Sequence, residues 1–237
     1  MCRRFAAEGA RVVVMDRDAG TAEAVAAEIG GTALAVDVSR GAELAAALGR
    51  AEAVLGSIDL LASNAGFSAG GDIDAPDAMW QAAWDVHVMA HVVAARAVLP
   101  GMLARGGGTI LATASAAGLL TNLGAAPYAV TKHATVAFAE WLAVTYGDRG
   151  IKVSCLCPMG VATPMLAADH IAVASVKASG AVLDPDAVAD IVVRGLESGK
   201  FLILPHPEVA DFLKKKATDP DGWITAMQRF KTKLEKK

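Results

Sequence analysis

The sequence predicts a doubly wound α/β fold, a parallel sheet layered between helices. Three observations lead there. Short runs rich in Val, Ile and Leu alternate with longer amphipathic stretches along all 237 residues. The runs are apolar throughout rather than every second residue, as strands buried on both faces are. Strands that alternate with helices pair in parallel, and right-handed crossovers then cover both faces of the sheet.

Taken in order, residues 1–9 read as the end of a helix stopped by Gly9. The run 10–16 (ARVVVMD) is a buried strand, 18–29 a helix, and 32–38 (TALAVDV) the next strand. A helix over 40–55 leads to the strand 58–66 (IDLLASNAG), which ends in a turn. A long helix covers 76–104 until glycines 106–108 break it, and 109–115 (TILATAS) is a strand. Helix 125–148 precedes strand 151–158 (IKVSCLCP). Residues 159–183 read as an irregular lid, 185–198 as a helix and 201–205 (FLILP) as the last strand. Residues 207–237 read as a polar helical tail. No boundary or repeat divides the chain, so 1–237 is expected to be one domain.

Composition narrows the function. Hydrophobic residues make up 54% and aromatics only 5%, so the core must be mostly Ala, Val and Leu. A net charge of -3 gives no basic excess to hold nucleic acid. The lysines clustered in the tail, Lys214 to Lys216 and Lys231 to Lys237, read as a solvated face. Cys2, Cys155 and Cys157 are an odd set with no secretory signal, which points to a reducing cytoplasm. No apolar stretch reaches membrane-spanning length without charge, Gly or Pro interrupting it.

The chemistry centres on Ser115, Tyr128 and Lys132. Tyr128 and Lys132 stand four apart on a helix and so share a face. Ser115 ends a strand, where open α/β sheets place their ligands, thirteen residues before Tyr128. A free Tyr titrates near 10. An ammonium about 5 Å away, at an effective dielectric of about 20, favours phenolate by roughly 3 kcal/mol. That lowers the Tyr pKa by about two, into the range of a general acid/base.

In order, spacing and setting these residues resemble the short-chain dehydrogenase/reductase family over nearly the whole chain. The resemblance implies a dehydrogenase that passes a hydride between a nicotinamide cofactor and a small, mostly apolar secondary alcohol or ketone. It implies Tyr128 as acid/base, Lys132 as ribose ligand and modulator of Tyr128, and Ser115 as holder of the substrate oxygen. Ser63-Asn64-Ala65-Gly66 resembles the family's NNAG turn, in which Asn64 would steady the central strands and Gly66 let the backbone approach the cofactor. Asp37-Val38 resembles the pair that contacts adenine. Residues 158–164 (PMGVATP) resemble the segment that holds the carboxamide, with Val161 and Thr163 in place and Met159 replacing a glycine. Asp16 ends its strand where a carboxylate can bond both ribose hydroxyls, which favours NAD over NADP despite Arg17. Family members form dimers and tetramers through their two long helices. Ala90, Val93, Ala94, Ala97 and Val98 give the first of these an apolar side for a two-fold homo-oligomer, a homotetramer among the forms expected.

Two departures matter. His87 stands where the family carries Asn, in a proton relay behind the Lys, and a His there could itself carry protons. More seriously, the family's opening strand and TGxxxGxG loop are not found before Met1, roughly 20 residues in the usual layout. In the strand order 3-2-1-4-5-6 the missing strand is central. Strands 10–16 and 58–66 are then expected to face a gap, with unpaired backbone groups at about 1–3 kcal/mol each. Either the start lies further upstream or the fold closes the gap otherwise. The alternative function, from another class, is a cofactor-free remnant that acts as a binding or oligomerisation partner.

Overall fold

The structure is a computed structural model and describes residues 1–166 and 171–236. Helix α1 (Cys2–Ala7) runs to Gly9, whose φ of 86° ends it. Strand β1 (Val13–Asp16) follows, then α2 (Ala19–Ile29), β2 (Thr32–Ala35), α3 (Gly41–Leu55) and β3 (Leu60–Ser63). Asp18 caps α2 by accepting from the Thr21 amide, and Gly30 closes it in the left-handed region. Helix α4 (Asp77–Trp84) continues through a π turn (Asp85–Met89) into α5 (Ala90–Ala104). Strand β4 (Gly108–Thr113), α6 (Ala126–Tyr146) and β5 (Ile151–Leu156) make the centre. Then come β6 (Gly160–Val161), α7 (Ile171–Ser179), β7 (Val182–Leu183), α8 (Pro185–Glu197), β8 (Leu202–Ile203), α9 (Glu208–Thr218) and α10 (Pro220–Glu235).

All strand pairs are parallel. One sheet runs β3-β4-β5-β8, and β1 pairs with β2 in a separate sheet. Among the described residues β1 and β3 share no ladder, which matches the expected break in the strand order. The sheet is covered on both faces. Leu111, Leu156 and Ile203 pack with Val188 and Val192 of α8, with Met1 and Phe5 of α1 against them. Ile110, Val153 and Cys155 face a larger core with Leu99, Met102 and Leu142. The strands are shorter than the apolar runs because the run ends, such as 64–66 and 36–38, leave the ladder as loops.

Three expectations change. Residues 159–183 are not an irregular lid: β6 pairs with β7, and α7 lies between them. His170, within that segment, lies outside the described residues. The tail is not a purely solvated face. Val209 is fully buried, and α10 turns Trp223, Met227 and Phe230 inward at helical spacing, since i, i+4 and i+7 share a side. The side of α5 expected to serve an oligomer is used within the chain. Ala90, Ala94 and Val98 are buried, and Val93 and Ala97 pack on the same core, beside α3. The unpaired apolar stripe is on α6 instead, where Val130, Trp141 and Val144 are exposed.

By length and composition the continuous helix 77–104 is apolar enough to cross a membrane, but half of its most apolar stretch is buried inside this fold.

Candidate active site

Three elements bring the site together. Ser115 lies two residues past the end of β4 and opens a 3-10 turn over 116–118, its oxygen accepting from the Ala117 amide at 3.1 Å. That turn sits on the backbone of α6: a Cβ on Gly118 would come within 2.4 Å of the Lys132 carbonyl oxygen, so this position requires glycine. Tyr128 and Lys132 project from α6, which Pro127 starts in its first turn. Lys132 is buried, donates to the Thr113 carbonyl at 2.9 Å and lies 5.7 Å from the centre of the Tyr128 ring. The Ser115 hydroxyl faces that of Tyr128 closely enough to favour the phenolate.

The electrostatics differ from the simple expectation. Burial pushes the Tyr128 phenol above its usual value, more than the Ser115 hydroxyl lowers it. Burial also pulls the Lys132 ammonium down to about 8. The sequence argument placed the pair in a uniform medium, but loss of solvent disfavours both charges at once. Near neutral pH the pair is therefore a phenol beside an ammonium.

His87 lies under Tyr128, their rings edge to face at 5.4 Å. Its Nε2 accepts from the Phe67 amide at 3.2 Å, which leaves the proton on Nδ1 to donate to Thr131 Oγ1 at 2.9 Å. The Thr131 hydroxyl passes its own proton to the Pro127 carbonyl at 2.7 Å. Burial, then Lys132, then His91 hold the His87 pKa down to about 3. Both ring nitrogens are engaged, and the ring stays neutral. The His87 carbonyl lies within the π turn and accepts from the Thr135 hydroxyl at 2.6 Å.

The other residues expected to hold the cofactor are exposed or half-buried at or beyond strand ends. Asn64, Ala65 and Gly66 are exposed just past β3, with the Gly66 Cα side turned towards Lys132 Nζ and His87. Asn64 does not tie the central strands together, because among the described residues no strand pairs with β3 on that side. Val161 is in β6 and Thr163 is exposed beyond it. Asp16 is exposed at the end of β1, one oxygen accepting from the Asp18 amide at 2.9 Å. Asp37 accepts from the Ser39 amide and hydroxyl, which hold its carboxyl below the usual range, and Val38 is half-buried beside it. Arg17 and Arg40 line the same shallow depression as Asp37.

Sequence reasoning missed His206. It is buried after β8, accepts from the Met159 amide at 3.1 Å and turns Nε2 to the carbonyls of Gly160 and Ala181. It thus pins the 158–161 segment to β7. A lone His between two prolines was the only signal.

Known sequences and structures resemble this chain. The sequence family described as short chain dehydrogenase matches residues 1–172. The chain is 37% identical over 166 residues to a protein of Xanthobacter autotrophicus named inactive 2-(S)-hydroxypropyl-CoM dehydrogenase 2, covering 69% of this chain and 72% of that one. A short chain dehydrogenase/reductase from Burkholderia phymatum, solved in complex with NAD, superposes with a TM-score of 0.81 at 28% identity, over 92% of this chain and 89% of that. One from Sphingobium yanoikuyae, in complex with NADPH, gives 0.78 at 25% identity, over 96% and 88%. The protein belongs to the short chain dehydrogenase family.

Proposed function

We propose that the chain is an NAD-linked dehydrogenase that interconverts a small, mostly apolar secondary alcohol and its ketone. One observation carries the reading: the Ser115 and Tyr128 side chains line an apolar cavity, with Lys132 buried behind Tyr128. Ser115 orients the substrate oxygen. As a phenol, Tyr128 donates its proton to that oxygen during reduction, and takes it back during oxidation. The Lys132 ammonium stabilises the phenolate left behind. His87 is a positioning residue, holding the α6 face through Thr131 and the turn at Phe67.

The residues at the two ends of the cofactor edge fit a nicotinamide dinucleotide. Gly66 presents bare, exposed backbone towards Lys132, as a close-lying flat ring requires. Asn64, Ala65, Val161 and Thr163 would hold the nicotinamide end together with Tyr128 and Lys132, while Asp16, Asp37 and Val38 would hold the adenosine end. When bound, the nicotinamide supplies or accepts the hydride. The free oxygen of Asp16 favours ribose hydroxyls over a 2′-phosphate, which supports NAD above NADP. The exposed α6 stripe supports a two-fold homo-oligomer built on that helix.

The test is ketone-dependent oxidation of NADH at saturating dinucleotide, over a panel of small ketones. Turnover abolished in Tyr128→Phe supports the reading; a panel with no turnover overturns it. The second reading, a cofactor-free binding partner, is favoured by the split between β1 and β3. Calorimetric titration with NAD and NADP separates the two, because a binding partner of that kind takes up neither.

A further inference from the structure

The cavity above Ser115 and Tyr128 has a volume of about 360 Å³. Part of its wall comes from beyond residue 172, where the family match ends. Phe212 comes from α9; Trp223, Met227 and Phe230 come from α10. These helices are held in place. Phe212 and Trp223 rings lie 6.3 Å apart, and Lys216 donates to the Leu119 carbonyl at 2.6 Å, directly behind the Ser115 turn. The α7 face opposite supplies Ala172, Val173 and Val176. Among the described residues no charged side chain lines the cavity; its polar groups are hydroxyls and the Asn122 amide.

We propose that α9 and α10 form part of the substrate site and select an uncharged ketone or secondary alcohol that carries a hydrocarbon body. A volume of about 360 Å³ falls in the range of small-molecule pockets, about 300–1,000 Å³. Apolar walls reward a chain or ring of that size by area removed from water. A carboxylate, sulfonate or phosphate on its far end would lose its hydration, with no cation among the described lining residues to replace it. The selectivity is therefore against charge as much as for size, and α10 is the element that enforces it. This assignment rests on the dehydrogenase reading only for where the substrate oxygen lies.

The test is a binding measurement without cofactor or turnover. Of the four tryptophans only Trp223 lines the cavity, so its emission reports occupancy. The probes are 2-decanone and 9-oxodecanoate, the same chain ending in a carboxylate. The expected result is a blue shift with 2-decanone that saturates, and at least tenfold weaker binding of 9-oxodecanoate. The shift disappears in Trp223→Phe, and Met227→Glu weakens 2-decanone at least tenfold while far-UV circular dichroism is unchanged. Equal binding of the two probes, a shift that survives Trp223→Phe, or no shift at the solubility limit of 2-decanone overturns the proposal. If 2-decanone binds at Trp223 but no ketone is reduced at saturating dinucleotide, this inference stands and the dehydrogenase reading falls. If other ketones are reduced while 2-decanone leaves Trp223 unchanged, the reverse holds.

Discussion

The sheet β3-β4-β5-β8 and the pair β1-β2 are built from the same kinds of residue but are held very differently. The first has α8 and α1 on one face and α5 and α6 on the other, with Leu111, Leu142 and Met102 at or near zero exposure. The second joins the large core through partly buried Val13, Met15 and Leu34, and its own cluster with α2 has only Val14, Ala22 and Ala26 buried. Its other ties include the Arg3–Glu28 pair and an Arg11 bond to the Leu55 carbonyl, all at the surface. Exposed ion pairs contribute little. The residues proposed for proton transfer thus sit in the firm part, and Asp16, Asp37 and Val38, proposed for the adenosine end, in the loose one. Stability within a domain is not uniform, and here the division falls between the residues proposed for proton transfer and those proposed for cofactor recognition.

The comparison can be tested from its strongest consequence downward. Tyr128→Phe should lower turnover by about 10²–10⁴-fold, the usual contribution of a general acid/base, with the thermal midpoint unchanged. Asp16→Asn should instead raise the KM for NAD with kcat nearly constant; steady-state kinetics on both variants checks the division. Next in size is core truncation. Leu111→Ala should destabilise the protein by about 2–5 kcal/mol in urea unfolding. Val14→Ala should cost about 1 kcal/mol, nearer the average substitution. Equal costs would remove the contrast in packing between the two regions. Amide hydrogen exchange should then separate them directly, with β1-β2 amides exchanging at least about 10²-fold faster than those of β4 and β5, since only the latter need global unfolding.

The smallest effect is a pH slope. His87 and His91 are both held at about 3, below the ordinary value of 6.5, by burial first and Lys132 next. A lowered histidine pKa means that the unfolded chain binds more protons. Stability is therefore full above 6.5 and is lost as pH falls towards 3. Between 6.5 and 5.5 the loss should be about 1 kcal/mol per buried histidine. His87→Asn should flatten that slope in urea titrations; an unchanged slope would place the titration elsewhere.

The parts of this molecule that local pattern decides were legible in the sequence. Apolar runs gave the strands, and the i, i+4 spacing put Tyr128 and Lys132 on one face. The direction of the Tyr128 pKa was not legible, because it depends on how much water the assembled fold removes. The stripe 223, 227, 230 in α10 was in the sequence, but the many lysines around it favoured a solvated reading. The apolar residues of α5 misled in the opposite sense: spacing says that a helix has an apolar side, but not whether α3 of the same chain will cover it. His206 and Thr135 reach backbone groups distant in sequence, the Met159 amide and the His87 carbonyl among them, and no spacing announces those contacts.

The π turn at 85–89 amounts to one extra residue wound into an otherwise regular helix. Every α-helical residue advances the side-chain direction by about 100°, so removing that one would set α4 and α5 out of phase by about that angle. The segments could not then both keep their present neighbours. A deletion here would act at a distance, withdrawing His87 from Thr131 or turning Ala94 and Val98 out of the core. The length of this segment, more than the identity of most of its side chains, is the quantity that natural variants of this chain must preserve.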